Sequence, residues 1–297
     1  MPQLSRQQLA ILVLLTLVWG LNWPIMKLGV TDYPALSFRA LSIWLGIPVL
    51  ALGLVVLKVP FRVPRQHWPA LLWLAATNMF VWHVCIILAV KTLSSGRAAI
   101  LGYTMPIFSA VIGALVFSAT LSRRGWLGVG AAAVGVALLL WHEFTGLAGK
   151  PAGVALALAG AASWALGTQL LRRTRIDVPT LTISFWMTVM TAVVITVLSV
   201  IFERPQWKAP STAAWWGIGY NAVLIFGYAH AAWFYLARGL PPVASTLSVM
   251  FIPVLGVFSG ALWLGEVLHW QDWAAVVLMV VAIASVLWPA RPATDAS

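Results

Sequence analysis

Runs of about twenty residues with almost no charge recur so often in this sequence that they decide what the chain can fold into. Ten stand out, at roughly 8–28, 35–57, 68–90, 95–118, 125–142, 152–171, 180–202, 212–236, 243–265 and 272–289. A helix of about 20 apolar residues crosses the hydrocarbon core of a bilayer, so each run is read as a membrane span. Only 8% of the 297 residues are charged, whereas a soluble domain carries about 25%, so most of this surface cannot face water. Ten such helices leave connectors and no room for a soluble domain. The expected fold is an all-α membrane protein with ten transmembrane helices.

The stretch Met250–Trp270 has a weaker copy at Tyr103–Phe117 and beyond. Pro106 matches Pro253, Gly113 matches Gly260, Leu121 matches Leu268 and Trp126 matches Trp273, every pair 147 residues apart. Upstream the offset is 145, with Trp19 matching Trp164, Asp32 matching Asp177 and Pro34 matching Pro179. A fixed offset across a proline, a glycine notch and a helix start marks a tandem duplication. The first repeat takes residues 1–145 and the second 146–290, leaving 291–297 as a disordered cytoplasmic tail. Five helices is an odd number, so the second copy lies upside down: two inverted five-helix repeats around a central cavity. Symmetry of this kind suits alternating access.

Charge fixes the orientation. With a cytoplasmic N-terminus, eleven Lys and Arg residues fall in the inner connectors and six in the outer ones, Arg39 being set aside inside a helix. This bias places both termini in the cytoplasm. Arg39 lies about one turn into its helix, where its side chain can serve as an interfacial anchor. The net charge of +11 does not imply nucleic acid, since no basic run is long enough or interleaved with exposed aromatics. The single Cys85 excludes an internal disulfide and any cysteine-based metal site. No small-x-small cleavage site follows the first apolar run, so that run is read as a retained helix.

Polar residues at membrane depth mark the candidate site. Asn78 and Trp82 are four apart on one face of the third helix, with His83 on the flank. His230 lies 147 residues after His83, and two histidines at equivalent depths of inverted halves point to a shared pathway. Trp19, Trp82 and Trp164 are placed to stack on a substrate ring. Asn22, Asn78, Gln169, Tyr103 and Tyr228 are placed to bind its polar ends by neutral hydrogen bonds, and Ser248 faces the same region. The expected walls are helices one, three, four, six, eight and nine. Pro24, Pro106 and Pro253 are expected to bend their helices, since an interior proline frees a carbonyl. Gly113, Gly256 and Gly260 are expected to let helices approach closely. Helices five and ten, poor in polar atoms, read as packing helices.

The residues Trp19-Gly20, Lys27, Pro34, Arg39, Pro106, Pro253, Leu264-Gly265-Glu266 and Trp273 resemble, in order and spacing, the drug/metabolite transporter superfamily in its EamA-type branch. The likeness covers nearly the whole chain. It departs at Ala119, where the second repeat has Glu266, and at Ala274-Ala275, where a glycine is common. The first departure argues against Glu266 as half of a symmetric coupling pair. The resemblance implies ten helices in two inverted repeats and, as in many members, export of amino acids or other metabolites across the bacterial inner membrane. Its general likeness is to aromatic amino-acid exporters.

All seven carboxylates fall at or beyond helix ends, which disfavours proton-driven export of cations. No His–carboxylate set has metal-ligand spacing and no Ser–His–Asp set is placed for attack, so neither an enzyme, a metal nor a cofactor is expected. The expected function is an exporter of amino acids, aromatic and other apolar ones included. The alternative is another metabolite class, such as nucleosides or small amphipathic compounds. The expected partners are the small-molecule substrate and the bilayer, in a monomer or weak homodimer.

Overall fold

A computed structural model describes residues 6–118, 120, 122–145, 150–230, 232–233 and 242–287. The positions Ala119 and Leu121 and the tail 291–297 lie outside the described residues. Among the described residues every regular element is helical: α1 (Arg6–Thr31), α2 (Ala35–Val56), α3 (Arg65–Thr92), α4 (Ser95–Phe117), α5 (Arg123–Thr145), α6 (Pro151–Arg173) and α7 (Thr180–Glu203). There follow α8 (Thr212–Tyr220, continued by a π-helical stretch Asn221–Ala229), α9 (Pro242–Leu264) and α10 (Trp270–Leu287). Six of the helical segments are long and apolar enough to cross a membrane, and two shorter apolar segments, Phe251–Leu264 and Trp270–Ser285, lie in α9 and α10. Large apolar side chains such as Val56, Trp216 and Leu262 stand on the outside. That is the surface a lipid-embedded protein presents.

The three expected prolines fall into two kinds of place. Pro24 and Pro253 sit inside continuous helices. Pro106 instead follows a break: α4 consists of Ser95–Gly102 and Met105–Phe117, joined at Tyr103-Thr104. At the break the Leu101 carbonyl accepts both the Thr104 N–H (3.2 Å) and the Thr104 hydroxyl (2.6 Å). α4 and α9 end alike. Ser118 (φ 53°) and Gly265 (φ 64°) both adopt the left-handed conformation that closes a helix, and they stand 147 residues apart.

The glycines of α9 are close-approach points. A Cβ at Gly256 would lie 2.8 Å from the Ala99 Cβ, and one at Gly260 would collide with the Ser95 hydroxyl and the Glu266 carboxylate. Here α4 and α9 touch almost backbone to backbone, as small residues permit in membranes. Gly113 is buried in α4, and its carbonyl accepts the Ser118 N–H that ends the helix. α5 and α10 pack along each other.

Helix ends raise the sharper problem, because their orphan N–H and C=O groups have little water to turn to. Pro34 precedes α2 and offers no capping side chain. The Glu203 carboxylate, arriving from the end of α7, accepts from Leu36 N (2.9 Å), Ser37 N (2.7 Å) and the Ser37 hydroxyl (2.8 Å). Glu266 does the same for α4, accepting from Ser95 N (2.6 Å), the Ser95 hydroxyl (2.9 Å) and Gly96 N (3.2 Å). Lys27 donates to the Val90, Lys91 and Leu93 carbonyls that close α3. Arg97 pairs with Asp272 at 2.7 Å, tying α4 to α10. Carboxylates and cations thus cluster as locks between helix ends.

Removing the Glu203 cap strands two buried N–H groups. We predict that Glu203→Ala destabilises the detergent-solubilised protein by about 1–3 kcal/mol and that Glu203→Gln, which keeps one accepting oxygen, loses less. Thermal unfolding followed by size-exclusion chromatography checks both; equal melting of all three proteins would contradict the capping role.

Candidate functional site

A cavity of about 420 Å³ lies between α1, α2, α3, α4, α6 and α8. That is within the range of about 300–1,000 Å³ typical of small-molecule sites. Its wall is largely aromatic. Trp82 and Trp164 meet at 5.3 Å between centroids, Trp19 and Trp233 at 5.5 Å, and Trp23 and Tyr103 at 6.1 Å. The two histidines come together, His83 and His230 at 6.0 Å, with Phe226 stacked on His230 at 5.6 Å.

Local backbone geometry explains the aim of these side chains. Both α3 and α8 contain a π-helical stretch, Ala75–Phe80 and Asn221–Ala229, just before His83 and ending at His230. A π turn widens the helix by one residue and so re-aims the side chains after it. Thr77 O accepts from the Ser163 hydroxyl (2.8 Å), and Ile225 O lies 2.9 Å from His230 Nδ1. A carbonyl only accepts, so Nδ1 of His230 carries the proton. Gln169 is held by donating to Ser109 O (2.8 Å) and Ser109 Oγ (2.9 Å) while accepting from Arg173.

Of the residues expected to line a site, Trp19, Asn22, Trp82, His83, Tyr103, Trp164, Gln169 and His230 all face the cavity, with Pro106 among them. Two do not. Asn78 sits in the π stretch, and a Cβ on Gly167 of α6 would run into its amide. Asn78 therefore faces α6 and is not among the residues that line the cavity. Tyr228 packs against the α1 side of α8, its hydroxyl 3.4 Å from the Ile11 carbonyl. The Ser248 side chain lies outside the described residues, and α9 contributes no lining residue among the described ones.

Sequence reasoning missed Arg39. It is no interfacial anchor: α2 carries it inward until it is 1% exposed and lines the cavity. Its Nη1 donates to Asn221 Oδ1 (3.1 Å), its Nη2 lies 2.8 Å from the Met26 sulfur, and its Cζ sits 5.7 Å from the Phe226 ring centroid. The signal available in the sequence was that Arg39 is the one charged residue in the run 35–57. Trp23, Met26 and Trp233 also line the cavity without having been singled out for it.

An apolar helical bundle around one aromatic-walled cavity is the form of a small-molecule membrane transporter. The model of the EamA-like transporter family matches residues 8–141 and again 151–288, and the chain belongs to that family. It is 28% identical over 289 residues to the uncharacterized inner membrane transporter YedA of Escherichia coli (strain K12), covering 94% of this chain and 91% of that one. It is 25% identical over 256 residues to the uncharacterized transporter YoaV of Bacillus subtilis (strain 168), covering 86% and 88%. A probable amino-acid metabolite efflux pump of Salmonella typhimurium is 25% identical over 300 residues, covering 94% of each chain. One crystal structure of a protein shares the fold with a TM-score of 0.69 at 21% identity, over 95% of this chain and 98% of that one. The protein is therefore a membrane transporter and not an enzyme.

The His230 contact yields a prediction. His230→Leu removes the side-chain donor to Ile225 O and the Phe226 stack, and is expected to destabilise the protein by about 1–2 kcal/mol. Thermal unfolding in detergent measures this, and an unchanged midpoint would show the contact to be idle.

Proposed function

We propose that the protein exports amino acids, aromatic and other apolar ones included, across the bacterial inner membrane by alternating access. In this reading all ten helices cross the membrane with both termini cytoplasmic, residues 1–145 and 146–290 form the two inverted repeats, and the tail 291–297 remains in the cytoplasm. The matching αL ends at Ser118 and Gly265, the matching π stretches and the separate family matches to 8–141 and 151–288 support the duplication. Pro24, the break before Pro106, and Pro253 are the points at which helices bend as the cavity changes sides. Such helices can re-satisfy a freed carbonyl from a neighbour or a wet cavity.

The cavity itself carries the substrate reading. Trp82 and Trp164, 5.3 Å apart, offer faces for an aromatic or aliphatic side chain, while Asn22 and Gln169 supply neutral polar groups. A relative named a probable amino-acid metabolite efflux pump supports the same class. The test is counterflow in proteoliposomes preloaded in turn with single amino acids, nucleosides and organic cations. We expect several amino acids to stimulate labelled uptake, with phenylalanine and tryptophan among the best, and Trp82→Ala to lower the aromatic signal about tenfold, as loss of one stacking partner implies. Silence from amino acids with a signal from nucleosides would move the substrate to that class.

A further inference from the structure

The described carboxylates with structural partners are already engaged. Glu203 caps α2, Glu266 caps α4, and Asp272 is held by Arg97 and by the His269 N–H. Among the described residues Arg39 has only neutral partners: the Asn221 amide, the Met26 thioether and the Phe226 ring. Its Nε has no hydrogen-bond partner. A guanidinium has five N–H donors, and only two are engaged here, so three remain to be used. A buried charge without a counter-charge is unfavourable unless something pairs with it.

Two further orphan polar atoms stand beside it. Asn22 Oδ1 has no partner, and Asn22 lies one turn before Met26, whose sulfur touches Arg39, so the two share a face of α1. His83 Nε2 has none either, and His83 packs at 5.1 Å on the same Phe226 ring that lies under Arg39. All three residues are at least nine-tenths buried and line the cavity. An acceptor and a fixed cation without their full set of partners thus both line an aromatic-walled space.

We propose that Arg39 is the anion anchor of this cavity: its free Nε–H and Nη–H groups take the carboxylate of the transported compound. Asn22 Oδ1 receives the ammonium of a zwitterion, and the tryptophan faces receive its side chain. The site therefore selects compounds bearing one negative group and rejects cations. A planar guanidinium fork matches a carboxylate in a way an ammonium does not. This assignment rests on the reading of the cavity as the substrate site.

The test needs first only the parent protein. Binding of L-phenylalanine, 3-phenylpropionate, L-phenylalaninamide and phenethylamine is followed by quenching of tryptophan fluorescence in the purified full chain. The two carboxylates are expected to bind about tenfold to a hundredfold more tightly than the amide and the amine, the span that charged hydrogen bonds supply. Arg39→Gln is expected to abolish that preference while the protein still melts cooperatively, and Arg39→Lys to keep part of it. Equal binding of amide and carboxylate by the parent overturns the anchor but leaves the amino-acid reading standing. If phenylalanine fails while 3-phenylpropionate binds in an Arg39-dependent way, the anchor stands and the amino-acid reading falls. A preference that survives in a folded Arg39→Gln protein overturns the anchor, as does binding of neutral nucleosides alone.

Discussion

A backbone surrounded by hydrocarbon has to satisfy its own N–H and C=O groups, and most of the polar chemistry of this chain answers that demand. Glu203 and Glu266 serve helix N-termini, Lys27 serves the carbonyls that end α3, and His230 serves a carbonyl in a π stretch. The buried polar atoms left without a partner include Asn22 Oδ1, Arg39 Nε and His83 Nε2, whose residues all line the cavity.

This division also sorts the charges. Negative groups sit at helix ends, where N–H donors and cations neutralise them. A positive group, Arg39, lines the cavity with only neutral partners among the described residues. The resulting cavity has a positive end and an aromatic body, and its low-dielectric walls focus the field of the guanidinium. The same arrangement explains why the absence of central carboxylates, visible in the sequence, disfavours export of cations.

Much of this was legible in the residues. Charge-poor runs announced helices, and a constant offset placed Pro106 with Pro253 and His83 with His230. Eight of the eleven side chains expected at the site line one cavity, because each was chosen for being polar or aromatic at depth. What failed did so for local reasons. A π turn cannot be read from composition, and Asn78, which sits in one, packs against Gly167 of α6 and does not line the cavity. Arg39 looked like an anchor because distance from a helix end is one-dimensional information. Whether α1 and α8 would enclose it depends on packing across 182 residues of chain, from Arg39 to Asn221. The distant caps at Glu203 and Glu266 escaped for the same reason: their partners lie 166 to 171 residues away.

The central claim is that transport passes through this one cavity, and the chain's single cysteine makes it testable. In a Cys85→Ser background, Ser109→Cys on the cavity wall and Leu115→Cys on the outer surface of the same helix are compared for maleimide labelling with and without a transported amino acid. The account predicts that substrate slows labelling at position 109 and leaves position 115 unchanged. Labelling at 109 that ignores every transported compound would place the pathway elsewhere.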